Sequence, residues 1–157
     1  MSCRWTVAGW PMVTPQAEPP SGKDCIMAVT RENISSGSKF EAAYGYSRAV
    51  KVGDTLYISG TIGMDYAAGV MPEGAVDQLH QIIRNFELPL AKAGASLRDI
   101  VQITTYVTAP EVFAEVGPEM GKIFAETLPA NAALVVAFPV PGVKVEISAV
   151  AVIGCGG

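Results

Sequence analysis

The chain has 157 residues, half of them apolar and 17% charged, with a net charge of −4 and an isoelectric point near 4.9. That length suits one domain, and a domain of about 150 residues buries roughly 70% of its unfolded surface without needing staples. The acidic balance argues against the basic face of a nucleic-acid binder, and no apolar run reaches the roughly 18 residues that would cross a membrane.

Residues 1–38 hold Pro11, Pro15, Pro19 and Pro20, then a Ser/Gly-rich stretch, "ISSGSK", and show no hydrophobic periodicity. They read as a disordered extension, or as a start assigned too early with Met27 as the alternative beginning. Residues 39–157 read as a single domain. Cys3, Cys25 and Cys155 lie in the end segments, and His80 is the single histidine. Neither a disulfide framework nor a zinc site is expected from them. A reducing, cytoplasmic setting is the simpler expectation.

Within the domain, "YSRAVKV" and "TLYISGTI" are β-rich runs joined at Gly53-Asp54, a hairpin signal. A loop over 69–74 follows. From Ala75, the residues Val76, Leu79, Ile82, Ile83, Phe86 and Leu90 recur at helical spacing, with Asp77, Gln81, Arg84 and Asn85 mainly on the other face. Pro89 is expected to kink the end of this helix, and Gly94 stands where a C-cap belongs. His80 falls on the polar side and is expected to face solvent.

"DIVQITTYVT" reads as a strand with Val101, Ile103, Thr105 and Val107 on one face. Thr108 and Glu111 have capping-box spacing and predict a second helix. Its core side is Val112, Phe113, Val116, Met120, Ile123 and Phe124, and Gly117-Pro118 predicts a break or kink within it. Two strands, over 132–138 and 143–153, complete the order β-β-α-β-α-β-β. Two helices on one face of a mixed sheet make an α+β sandwich whose other face is left for a partner or for water.

The last strand carries the first chemical signal. Val145, Ile147, Ala149, Ala151 and Ile153 alternate with Lys144, Glu146, Ser148, Val150 and Val152. The second set starts polar and turns apolar, which suggests a subunit interface with a wet pocket at one end. A carboxylate in such a strand is costly unless something pairs with it or uses it.

The pieces "YSRAVKVGDTLYISGTIG", "NFELPLAKAGASLRDIVQITTYVT" and "LPANAALVVAFPVPGVKVEISAVAV" together resemble the Rid family, the YjgF-type reactive-intermediate deaminases once labelled L-PSP endoribonucleases. The resemblance covers about residues 44–153. It implies a chorismate-mutase-like α+β fold and a homotrimer whose sheets line a central barrel, with pockets between neighbouring subunits. It also implies cofactor-free hydrolysis of small enamines and imines to a carbonyl compound and ammonia.

By position, the resemblance implies that Glu146 holds or activates the attacking water, with Tyr46 and Ser59 in the same pocket. Active deaminases of this type carry arginine after "PA", where this chain has Asn131, and often a cysteine where it has Ala133. Asparagine cannot supply the charged two-pronged grip of arginine on a carboxylate. Arg48, on the strand face of Tyr46, is either an ion-pair partner or a substitute source of charge. Lys144 reads as a solvated strand end. Alternatives to a divergent deaminase are a trimer that binds a small metabolite without turning it over and, weakest given one histidine and the acidic charge, a ribonuclease.

Overall fold

The computed structural model describes residues 29–157. One six-stranded sheet runs in the order β1-β2-β3-β6-β4-β5. In chain order the elements are β1 (Arg31–Ile34), α1 (Lys39–Tyr44), β2 (Ala49–Val52), β3 (Thr55–Ile62), α2 (Ala75–Ala93), β4 (Ile100–Val107), α3 (Pro110–Ile123), β5 (Ala130–Val135) and β6 (Val145–Val152). The β4–β5 pair is parallel and the others are antiparallel. The expected α+β sandwich with two long helices on a mixed sheet is the observed architecture.

The boundary expected at residue 38 falls inside the fold. β1 pairs with β2 from Arg31↔Val52 to Ile34↔Ala49. Residues 1–28, with Met27, Cys3 and Cys25, lie outside the described residues. β1 and α1 escape periodicity because each is short: "RENI" is four residues, three of them polar, and "KFEAAY" is less than two helical turns.

The helix layer forms as its spacing predicts. Leu79, Ile82, Phe86 and Leu90 of α2 are buried against Leu56, Ile58, Ile147 and Ala149 of the sheet. Gly94 closes α2 in the left-handed conformation, its N–H donating to Ala91 and Leu90 carbonyls. Both helices run on through their prolines, Pro89 and Pro118, so the expected break at Gly117-Pro118 is absent. A proline deletes one N–H and leaves the neighbouring bonds to carry the helix. The expected Thr108–Glu111 capping box does not form. Ala109 is the N-cap, Pro110 opens the helix, and the Thr108 N–H goes to the Lys144 carbonyl.

Two irregularities set the faces of the sheet. In β4 the register with β6 shifts between Ile100↔Ala151 and Gln102↔Val150. Val101 is the extra residue and is exposed, while Ile100 takes the buried place expected for it. In β3 the register shifts between Ile58↔Ala149 and Thr61↔Ile147, so Ser59 and Gly60 bulge opposite β6.

Polar side chains on α2 fix the loops that enter and leave this region. Buried Gln78 donates to the carbonyls of Pro72 and Gly142, both at 2.8 Å, and accepts from the Lys144 N–H. Asn85 donates to the carbonyls of Ile62 and Met64. Gln81, expected on the solvent side, is buried; it donates to Asn85 and accepts from Arg84.

Candidate active site

The β2–β3 hairpin and β6 bring three of the predicted residues together. Glu146 is in register with Ile62 of β3 on one side and Tyr106 of β4 on the other. The bulged Gly60 leaves room for its carboxylate; a β-carbon at position 60 would overlap Oε1 and lie 3.0 Å from Cδ. Burial pushes the Glu146 carboxyl above its ordinary value, and the nearby Arg48 guanidinium offsets part of that rise.

Arg48 is 5% exposed. Its Nη1 donates to the Gly60 carbonyl and to Thr61 Oγ1, both at 3.2 Å. Its guanidinium stands 5.8 Å from the centre of the half-exposed Tyr46 ring. Its Nε lies 3.8 Å from Oε1 of Glu41, an equally buried carboxylate. A buried cation is stable only with such partners.

Glu41 is a site residue that the sequence does not announce. Burial raises its proton affinity, but hydrogen bonds from Ser35 and Ser36, with the Arg48 charge, outweigh that and hold it below the ordinary carboxylate value. The Ser35 hydroxyl donates to Oε2 at 2.5 Å and the Ser36 N–H to Oε1 at 3.1 Å. Glu41 is therefore the fixed counter-charge of Arg48, whereas burial leaves the Glu146 carboxyl with a raised proton affinity. The only trace of Glu41 in the sequence is an acid in the stretch before an arginine, with nothing to show that both are buried.

Ser59 sits in the bulge, but its hydroxyl donates to the Ser47 carbonyl at 2.7 Å and ties β3 to the start of β2. Tyr66, equally silent in the sequence, projects from the loop after β3; burial pushes its phenol up, with Arg48 pulling it back and Tyr46 adding to the rise. Asn131 and Ala133 stand elsewhere. They lie on the edge strand β5 opposite Ile103 and Thr105, whose side chains are buried on the helix side, and Thr105 Oγ1 donates to Asn131 Oδ1 at 3.1 Å. Glu146 belongs to the opposite face, alternating with buried Val145 and Ile147. One chain therefore does not join position 131 to Glu146.

His80 lies on the helix layer 3.4 Å from Glu119, and Lys144 is exposed. Among the described residues, no group of three or more histidine, cysteine, aspartate or glutamate side chains is placed to hold a metal ion. No described helix is long and apolar enough to cross a membrane. The site brings together a carboxyl of raised proton affinity, a buried guanidinium and two phenols.

The family model described as Endoribonuclease L-PSP matches residues 36–153. The chain is 37% identical over 131 residues to a mouse protein named 2-iminobutanoate/2-iminopropanoate deaminase, covering 82% of this chain and 96% of that one. A human protein of the same name is 36% identical over 130 residues, covering 82% and 95%. Among solved structures, a YjgF/YER057c/UK114 family member from Mycobacterium tuberculosis matches with a TM-score of 0.65 at 37% identity, over 79% of this chain and all of that one. A Rid-family protein of unknown function from Yersinia pestis matches with a TM-score of 0.70 at 28% identity, with the same coverage.

Proposed function

The chain belongs to the Endoribonuclease L-PSP (Rid/YjgF) family, and from that premise we propose that it hydrolyses a small enamine or imine to a carbonyl compound and ammonia. The observation that carries the proposal is the Glu146 carboxyl, half-buried against Gly60 and beside Arg48, with its proton affinity raised.

In its protonated form Glu146 delivers a proton to the enamine carbon or imine nitrogen. The resulting carboxylate accepts a proton from water as the water oxygen bonds to the former C=N carbon. Glu146 then gives its proton to the amine nitrogen of the tetrahedral adduct and takes the proton of the adduct's hydroxyl, so that the C–N bond breaks, ammonia leaves and the carbonyl forms. One water is consumed, and the carboxyl ends as it began. A carboxyl whose proton affinity is raised by burial can both give and take a proton. Arg48 stabilises an anionic substrate group and the transient carboxylate.

Two observations favour a binding-only role as the second reading: Asn131 in the place of an arginine, and a Ser59 hydroxyl already committed to Ser47. The assay that separates them generates 2-aminoacrylate in situ with a serine dehydratase and follows its decay and 2-oxo acid release. The deaminase reading expects decay to accelerate in proportion to added protein. Decay at the spontaneous rate would reject it in favour of binding alone.

The half-apolar outer sheet face, carrying Tyr57, Val150 and Val152, supports a homotrimer with this face inward. In that assembly, β5 of one copy would bring Asn131 and Ala133 toward a neighbour's Glu146.

A further inference from the structure

Arg48 has a second outlook. Besides lowering the proton affinity of Glu146 through its charge, it lines a cavity of about 500 Å³ within the single chain, between residues 36–40, the turn at 65–67 and the 84–88 stretch of α2. Three of its lining side chains are cationic, Lys39, Arg48 and Arg84, against one lining carboxylate, Asp65, and the buried Glu41 carboxylate that pairs Arg48. That bias stands out in a chain of net charge −4. Asp65 is occupied locally, its Oδ1 accepting from the Ala67 and Ala68 N–H groups.

Arg48 engages Gly60 and Thr61 through Nη1 and faces Glu41 through Nε. Arg84 is braced through Nε and Nη2 by Gln81. Both guanidiniums are thus pre-oriented, which lowers the entropy lost on binding an anion. The aromatic lining comes from Phe40, 46% exposed, stacked on Tyr44 and with Lys39 Nζ 5.6 Å from its ring centre, and from Tyr66, 50% exposed. Part-exposed aromatic side chains beside fixed cations suit a planar anion, whose flat body packs on them while its charge is paired.

We infer that this cavity is the substrate's anion subsite: it takes a carboxylate on a flat unsaturated or aromatic body, with Arg48 filling the role that Asn131 cannot. The inference deepens the deaminase reading and rests on it, because Arg48 is the group shared by the cavity and Glu146. Lys39 and Arg84 add the field that draws the anion in.

The test titrates benzoate, and its uncharged isostere benzamide, into the full chain by calorimetry, with Arg84→Gln and Arg48→Lys beside the wild type. Benzoate binds the wild type and benzamide binds at least about tenfold more weakly, the loss of one charge-assisted bond. Arg84→Gln weakens benzoate several-fold, and this variant still tests the subsite if Arg48→Lys fails to fold. Equal binding of the two probes, no benzoate binding by folded wild type, or no effect of Arg84→Gln overturns the subsite. Benzoate that binds but does not compete with 2-aminoacrylate turnover overturns its assignment to the substrate. Charge-selective benzoate binding with no turnover of 2-aminoacrylate upholds the anion site and overturns the deaminase reading.

Discussion

The α-carbon of Gly60 stands against the carboxylate of Glu146, so closely that a β-carbon at position 60 would overlap Oε1. The obstacle is the far end of a flexible side chain, so Gly60→Ala is expected to fold and to push the carboxylate aside. A displacement of about 1 Å costs on the order of a hundredfold in rate. Enamine turnover should fall by that much while the melting temperature moves by no more than about 4 °C. Gly63→Ala is the contrasting control. Its β-carbon would meet the backbone of Gln78 at 2.5 Å, and the variant should be strongly destabilised. Full turnover by Gly60→Ala would show that the carboxylate position is not critical.

Acid should unfold this protein partly through Glu41 and Asp99. Both titrate below their ordinary values of 4.5 and 3.8 in the folded chain: burial raises each, and hydrogen bonds reverse it. For Asp99 the donors are the N–H groups of Ser96, Gly154 and Gly156. A depressed folded value means that the unfolded chain binds more protons, so this stability is present above the ordinary value and is lost as pH falls through the folded one. Glu41→Gln and Asp99→Asn should each lower the urea midpoint at pH 7 and flatten its fall in acid. The Glu41 change, which strips a buried arginine of its counter-charge, should cost about 3 kcal/mol. Glu146 has the opposite sign. Its raised folded value makes the wild type lose stability as pH rises above 4.5, so Glu146→Gln should be at least as stable at pH 7. Parallel pH profiles for all variants would contradict these assignments.

Asn131→Arg discriminates between two sources of positive charge. With Arg48 already supplying it, the new arginine should change turnover by less than about threefold. A missing clamp restored at position 131 would instead give roughly a ten- to hundredfold gain, the worth of a hydrogen bond to a charged group.

A sheet face carrying Tyr57, Val150 and Val152 opposite the helices should be covered by copies of the same chain. Light scattering should give three times the chain mass of 16.4 kDa. Val150→Asp, which places a charge in the middle of that face, should shift the mass toward the monomer. A monomer mass for the wild type across a wide concentration range would contradict the trimer and the interfacial placement of Asn131.

Elements with a strong period were legible in the sequence. The apolar spacing of α2 from Leu79 to Leu90, the Gly53-Asp54 hairpin and the alternation of β6 all appear where the residues put them. The alternation of β6 also assigned Glu146 to the face away from the helices. What escaped was set by tertiary contact. The Val101 bulge moves a hydrophobic residue to the outer face, and no local propensity encodes it. Ser96 and Asp99 form the capping box that Thr108 and Glu111 do not. Arg48 was legible as an ion-pair partner or a source of charge, but its partner Glu41 was not, because their shared burial depends on the fold around α1 and the β3 bulge.

The Glu146 carboxyl is expected to carry the proton transfers of hydrolysis. The most direct measurement compares the rate of 2-aminoacrylate decay with wild type and with Glu146→Gln at equal concentration of folded protein. The amide keeps the shape of the side chain and cannot exchange the proton. The expected result is a wild-type acceleration that falls about a hundred- to ten-thousandfold in the variant. Equal acceleration by the two proteins would mean that Glu146 is structural, and the proposed mechanism would be wrong.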